Sequence, residues 1–73
     1  MLKSITNTPD FNLLLAICTN DNEGLLWLEV SWTERNNPIR HTKDFAGNEY
    51  GKAIAYHDKM EAELHERYKK VTV

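Results

Sequence analysis

The spacing of apolar residues changes once along this chain, and that change limits the fold more than any other feature. Between residues 11 and 34, large apolar side chains recur at every second position: Phe11, Leu13, Leu15 and Ile17, then Leu26, Leu28, Val30 and Trp32. Alternation at this period puts each set on one face of a β-strand. From about residue 48 the recurrence lengthens to three or four, through Tyr50, Ala53, His57, Met60, Leu64, Tyr68 and Val71. That is the stripe of an amphipathic helix seated on a sheet. The expected class is therefore α+β: a three-stranded antiparallel β-meander followed by one long C-terminal α-helix packed on a sheet face.

Turn residues set the boundaries. Asn20-Asp21-Asn22-Glu23-Gly24 separates the first two strands, with Gly24 suited to a left-handed position. Arg35-Asn36-Asn37-Pro38 forms the second turn, and a weaker third strand over residues 39–45 places Ile39, His41, Lys43 and Phe45 against Arg40, Thr42 and Asp44. Such a mixed pattern is expected of an edge whose charges discourage further pairing. Asn48 is the expected N-cap of a helix reaching Lys69-Lys70. Residues 1–10, with Leu2 and Ile5 isolated and Thr8-Pro9-Asp10 as a break, read as an extended lead-in to a single β-β-β-α domain over residues 11–73.

At 73 residues the chain has room for one core, and such a core leaves a net stability of only about 3–5 kcal/mol. A hydrophobic content of 41% against 27% charged residues is still enough to drive folding rather than disorder. Nine Lys and Arg against eleven Asp and Glu give a formal charge of −2, so no global field draws the chain to nucleic acid or anionic lipid. The single cysteine, Cys18, has no intrachain disulfide partner and lies among apolar residues, where a thiol acts as a small core side chain. No secretory h-region follows Met1-Leu2-Lys3-Ser4, and no apolar run spans a bilayer. The expected setting is a reducing cytoplasm without membrane attachment.

Candidate functional residues follow from the second strand. Trp27 and Trp32 fall on opposite faces, and only one face can bury its tryptophan in the core. Trp32 belongs with Leu26, Leu28 and Val30, which leaves Trp27 beside Glu29, Ser31 and Thr33 as the candidate contact. With Arg35, Arg40 and Thr42, the expected binding set is Trp27, Glu29, Ser31, Arg35, Arg40 and Thr42.

Chemistry finds less support. His57, Glu61 and His65 stand four apart, yet His57 lies on the apolar stripe while the other two turn toward solvent, so no metal site is expected. The helix carboxylates alternate with Lys and Arg as a solvated face, with pairs such as Glu63–Arg67 and Glu66–Lys70. No nucleophile, base and stabiliser can be assembled, so neither an enzyme nor a cofactor is expected.

Lys43-Asp44-Phe45, Glu49-Tyr50-Gly51-Lys52-Ala53 and Ala55-Tyr56-His57-Asp58 resemble the close of the DNA-binding domain of plant ethylene-response factors. Its relatives include the arm-binding domains of tyrosine integrases and domains attached to phage homing endonucleases. The resemblance covers roughly the last third of the chain and implies three strands and a helix, with Trp27 or Trp32 as the sheet tryptophan, Arg40 as a basic contact, and Phe45, Ala53 and Ala55 in helix packing. The early Gly-Val-Arg segment of that family is absent, and leucine-rich runs replace its arginine-rich strands.

The leading expectation is a small non-enzymatic protein-binding module, of the phage or mobile-element inhibitor and adaptor kind, that blocks a larger host protein. A sequence-specific DNA-binding module that uses the sheet is the second reading. Glu29, Glu34 and Asp44 count against it, since each would face phosphate. A self-assembling homodimer is the third, through helix surface at Ile54 and Tyr56.

Overall fold

A computed structural model describes residues 2–20 and 24–69. They form four strands and one helix: β1 (Leu2–Asn7), β2 (Phe11–Asn20), β3 (Leu25–Glu34), β4 (Asn37–Ala46) and α1 (Tyr50–Arg67). The sheet is an antiparallel meander in the order β1-β2-β3-β4. The α+β class stands, with four strands in place of the three expected.

The additional strand comes from the segment read as a lead-in. Pro9 and Asp10 form the tip of a tight turn that Thr8 closes. Its N–H donates to the Phe11 carbonyl at 3.0 Å, and its Oγ1 accepts from the N–H groups of Asp10 and Phe11 at 3.2 and 3.0 Å. The chain therefore reverses, and β1 pairs along β2 from Asn7↔Asn12 to Leu2↔Ala16, with a register shift between Leu2 and Ser4. Ser4 and Thr6, not apolar residues, take the helix-facing positions, so hydrophobic periodicity carries no trace of this strand. β4 also begins earlier than expected, at Asn37. It takes in Pro38, whose missing N–H is tolerated at a sheet edge, and the Asn37 Oδ1 accepts from the Ile39 N–H at 3.0 Å.

Registers Leu13↔Trp32, Leu15↔Val30 and Ile17↔Leu28 align the apolar faces of the two central strands. The helix packs on that face, burying Phe11, Leu13, Leu15, Leu28 and Val30 against Ala53, Met60 and Leu64. Trp32 lies at the margin of this core, half-buried between His41, whose ring is 5.1 Å away, and Tyr56 at 6.2 Å. It is not enclosed because it sits on the β4 side of the helix, beyond the central contact. The helix slants across the sheet, with Tyr56 against Phe45 of β4 and Glu61 accepting from the Thr6 hydroxyl of β1 at 2.6 Å.

Both helix ends differ from expectation. The N-cap is Glu49 rather than Asn48. Its backbone N–H donates to the Ala46 carbonyl at 2.9 Å, and its carboxylate accepts from the Ala46 N–H at 3.0 Å and from Lys52 at 3.1 Å. Gly47 sits inside that reciprocal turn, where a Cβ would come within 2.8 Å of the Leu26 carbonyl oxygen. Gly24, at φ 67°, holds the left-handed position expected of it. Residues 21–23 and Lys70 and Val71 lie outside the described residues.

At the other end, Arg67 pairs with Glu34 of β3 instead of serving only the expected helix partner Glu63. The Tyr68 hydroxyl donates to the same carboxylate at 2.9 Å, and its ring stacks on Phe11 at 6.1 Å. Burial pushes the Glu34 carboxyl up, but the hydrogen bonds from Arg67 and Tyr68 outweigh it and hold the group below its ordinary range.

Two outcomes check this packing. Leu64 is fully buried, and Leu64→Ala should cost about 2–5 kcal/mol, most of the stability of so small a domain, read as loss of a cooperative thermal transition. A carboxyl held low contributes stability that is complete above the ordinary carboxylate range and lost as pH falls through its lowered value. Denaturant midpoints should thus hold from neutral pH to about pH 5 and fall progressively below about pH 4, and Glu34→Gln should lower the neutral-pH plateau by about 1 kcal/mol and flatten that decline.

Candidate binding face

One helix covers one face of the sheet, and the other face has no layer over it among the described residues. The strand pairing fixes what that face carries. Ile5, Leu14, Ser31 and Thr42 form one row across the four strands; Ala16, Glu29 and Asp44 form the next; Cys18, Trp27 and Ala46 the third. The face is divided by chemistry. Ile5 on β1, Leu14, Ala16 and Cys18 on β2 and Trp27 on β3 make an apolar band, and Glu29, Arg40, Thr42 and Asp44 occupy the β3–β4 side.

Trp27 lies on this face, opposite in sense to Trp32, and is half-buried. It flanks an open hollow of about 410 Å³ lined with Leu26, Asp44, Phe45 and Ala46. Leu26, on the opposite face of β3, is 49% exposed where the hollow wraps the end of the strand.

Arg40 is exposed but held in place. Its Nη2 donates to the Glu29 carboxylate at 2.7 Å and to Ser31 Oγ at 3.2 Å. Ser31 itself is 1% exposed. It therefore supports Arg40 from below and offers no direct contact, contrary to its place in the expected binding set. Cross-strand crowding explains the burial, because a serine in the middle of a central strand lies beneath longer neighbours. Thr42 is exposed beside Arg40. Arg35 lies apart, in the β3–β4 turn, where its N–H donates to the Asp10 carbonyl at 2.8 Å and its guanidinium lies 3.7 Å from the Asp10 carboxylate.

The three acidic residues weighed against DNA separate here. Glu29 and Asp44 face outward on this surface, whereas Glu34 turns to the helix side and is neutralised by Arg67. Lys43 is also on the helix side, with its ammonium 6.0 Å from the Phe45 ring.

The residues of the unexpected metal triplet take separate partners. His57 is buried, its Nδ1 lies 3.2 Å from Asp58 Oδ1, and its Nε2 has no hydrogen-bond partner among the described residues. Glu61 bonds Thr6, and His65 meets the Phe11 ring edge-on at 5.1 Å. Among the described residues no cluster of three or more His, Cys, Asp or Glu is placed to hold a metal ion.

Cys18 departs from its expected core role, because β2 is apolar on both faces and the thiol falls on the uncovered one, paired across from Trp27. That second apolar set, Leu14, Ala16 and Cys18, was the sequence signal for an apolar outer surface. Partial burial, and next the negative charge of Glu29, push the Cys18 thiol up. Alkylation by iodoacetamide at about pH 8 should accordingly be several-fold slower in the folded chain than in the urea-unfolded one, as followed by intact mass; equal rates would contradict this placement.

No protein-family model, curated protein or solved structure matches this chain.

Proposed function

We propose that this chain is a small non-enzymatic protein-binding module that presents its uncovered sheet face to a larger protein. The observation that carries this reading is the division of that face: an apolar band ending at Trp27, bordered by a polar side on which Arg40 is already oriented by Glu29 and Ser31. Protein interfaces combine an apolar centre rich in aromatics with a polar rim, and arginine and tryptophan are the side chains that most often dominate their energy. A guanidinium fixed in advance loses less freedom on binding. Trp27, Glu29, Arg40 and Thr42 are the contacts on this reading, with Ser31 as a support and Arg35 at the far turn.

The inhibitor or adaptor role, and a phage or mobile-element setting, draw support from the small size and from the resemblance of residues 43–58. A reducing cytoplasm suits the lone cysteine. Among the described residues no helix is long and apolar enough to cross a membrane.

A DNA-binding reading is favoured by one observation, the exposed pair Arg40 and Thr42 on a sheet backed by a single helix. Glu29 and Asp44 on the same surface oppose it, since both would meet phosphate unfavourably.

Affinity capture from host lysate, with and without nuclease, separates these readings. The expected result is a protein partner that survives nuclease and whose affinity falls by about 2 kcal/mol, roughly thirtyfold, in Trp27→Ala with an unchanged circular dichroism spectrum. Undiminished binding by that variant would remove Trp27 from the interface, and recovery of nucleic acid alone would favour the DNA reading.

A further inference from the structure

The meander leaves two free edges, β1 and β4. β1 has six residues and an interrupted register, whereas β4 runs for ten, with its proline at the second position. Bare edges of this length attract other strands unless something blocks them. The charges on β4 are the obvious block, yet their order is self-complementary.

We propose that β4 is a homodimerisation edge, at which two copies pair β4 against β4, antiparallel, about a two-fold axis through Thr42. In that register Arg40 stands opposite the second copy's Asp44, Ile39 opposite its Phe45, His41 opposite its Lys43, and Thr42 opposite itself. Each contact occurs twice, as an isologous interface requires. Sliding one copy by two residues either way removes the opposite-charge pair.

Three features of the single chain are resolved by this pairing. Asp44 lies across from Glu29 on the same face and has no ion-pair partner among the described residues; like charges directly opposite are destabilising. The second copy's Arg40 would stand on the other side of Asp44 and complete a row of alternating sign. Arg40 has donors to spare, because Nη2 alone makes both of its bonds to Glu29 and Ser31. Finally, Ile39 is 62% exposed on the helix side of β4, and the half-buried Phe45 ring of the second copy would cover it. His41 opposite Lys43 brings no opposite charges together. Both helices fall on one side of the joined sheet and both uncovered faces on the other, so the dimer would present two binding faces in one plane.

Sedimentation velocity over a concentration series tests association without any other partner in the assay. The wild-type chain should dimerise reversibly, and Asp44→Lys, which places like charges opposite at two symmetric positions, should raise the dissociation constant about tenfold or more. In a Cys18→Ser background, Thr42→Cys should oxidise to a covalent dimer, because residues opposite in a sheet bring their Cβ atoms to about 4.5–5.5 Å, close to disulfide reach. Ala46→Cys should not, its symmetry mate lying eight residues, or about 27 Å, along the strand. All the substituted β4 positions are exposed, and circular dichroism should show each variant folded. A chain that remains monomeric at about 1 mM would overturn the proposal. So would a dimer that is indifferent to Asp44→Lys and does not cross-link through Thr42→Cys.

Discussion

Everything in this molecule rests on the seating of one amphipathic helix on one face of a sheet. Leu13, Leu28, Val30, Ala53 and Leu64 are 0–1% exposed, and they form a single apolar layer between two elements. Among the described residues no further element is left to form a second such layer. The burial that stabilises the fold therefore also determines its asymmetry, since a meander covered on one side must show its other side to solvent or to a partner.

The helix is held at its ends by polar chemistry rather than by more core. At the start, Glu49 and Ala46 exchange hydrogen bonds around Gly47, whose lack of a Cβ permits close approach to Leu26. At the finish, Arg67 and Tyr68 converge on Glu34 at the base of β3. These contacts fix the slant of the helix, which in turn decides that Trp32 and Phe45 are only half covered. They also account for the position of His57, drawn into the layer with one ring nitrogen toward Asp58 and the other unpartnered among the described residues.

The uncovered face and the open edge are separate consequences of the same topology. The face concentrates apolar area from β1 to Trp27, where a partner of any size could lie, whereas the edge of β4 offers main-chain groups in one line with an ordered set of charges. A surface of the first kind suits a protein of different sequence, and an edge of the second suits a strand of matching register. The two meet at Arg40 and Thr42, so a β4-paired dimer would set the polar side of one face beside that of the other.

Residue spacing alone established the α+β class, the alternation that pairs β2 with β3, the helical stripe from Ala53 to Leu64, the left-handed Gly24 and the opposite senses of Trp27 and Trp32. These are local properties, readable wherever one face of an element is apolar and the other is not. What the tertiary structure alone decided was whatever depends on neighbours distant in sequence. β1 pairs through main-chain groups once Thr8, Pro9 and Asp10 turn the chain, so its polar side chains left no period to read. Ser31 disappears beneath Arg40, Arg67 reaches β3 rather than serving only its own helix, and Cys18 falls on the outer surface because β2 is apolar on both sides. Side-chain identity states what each residue prefers to bury, but which preferences are met depends on how many layers the chain can form, and this one forms two.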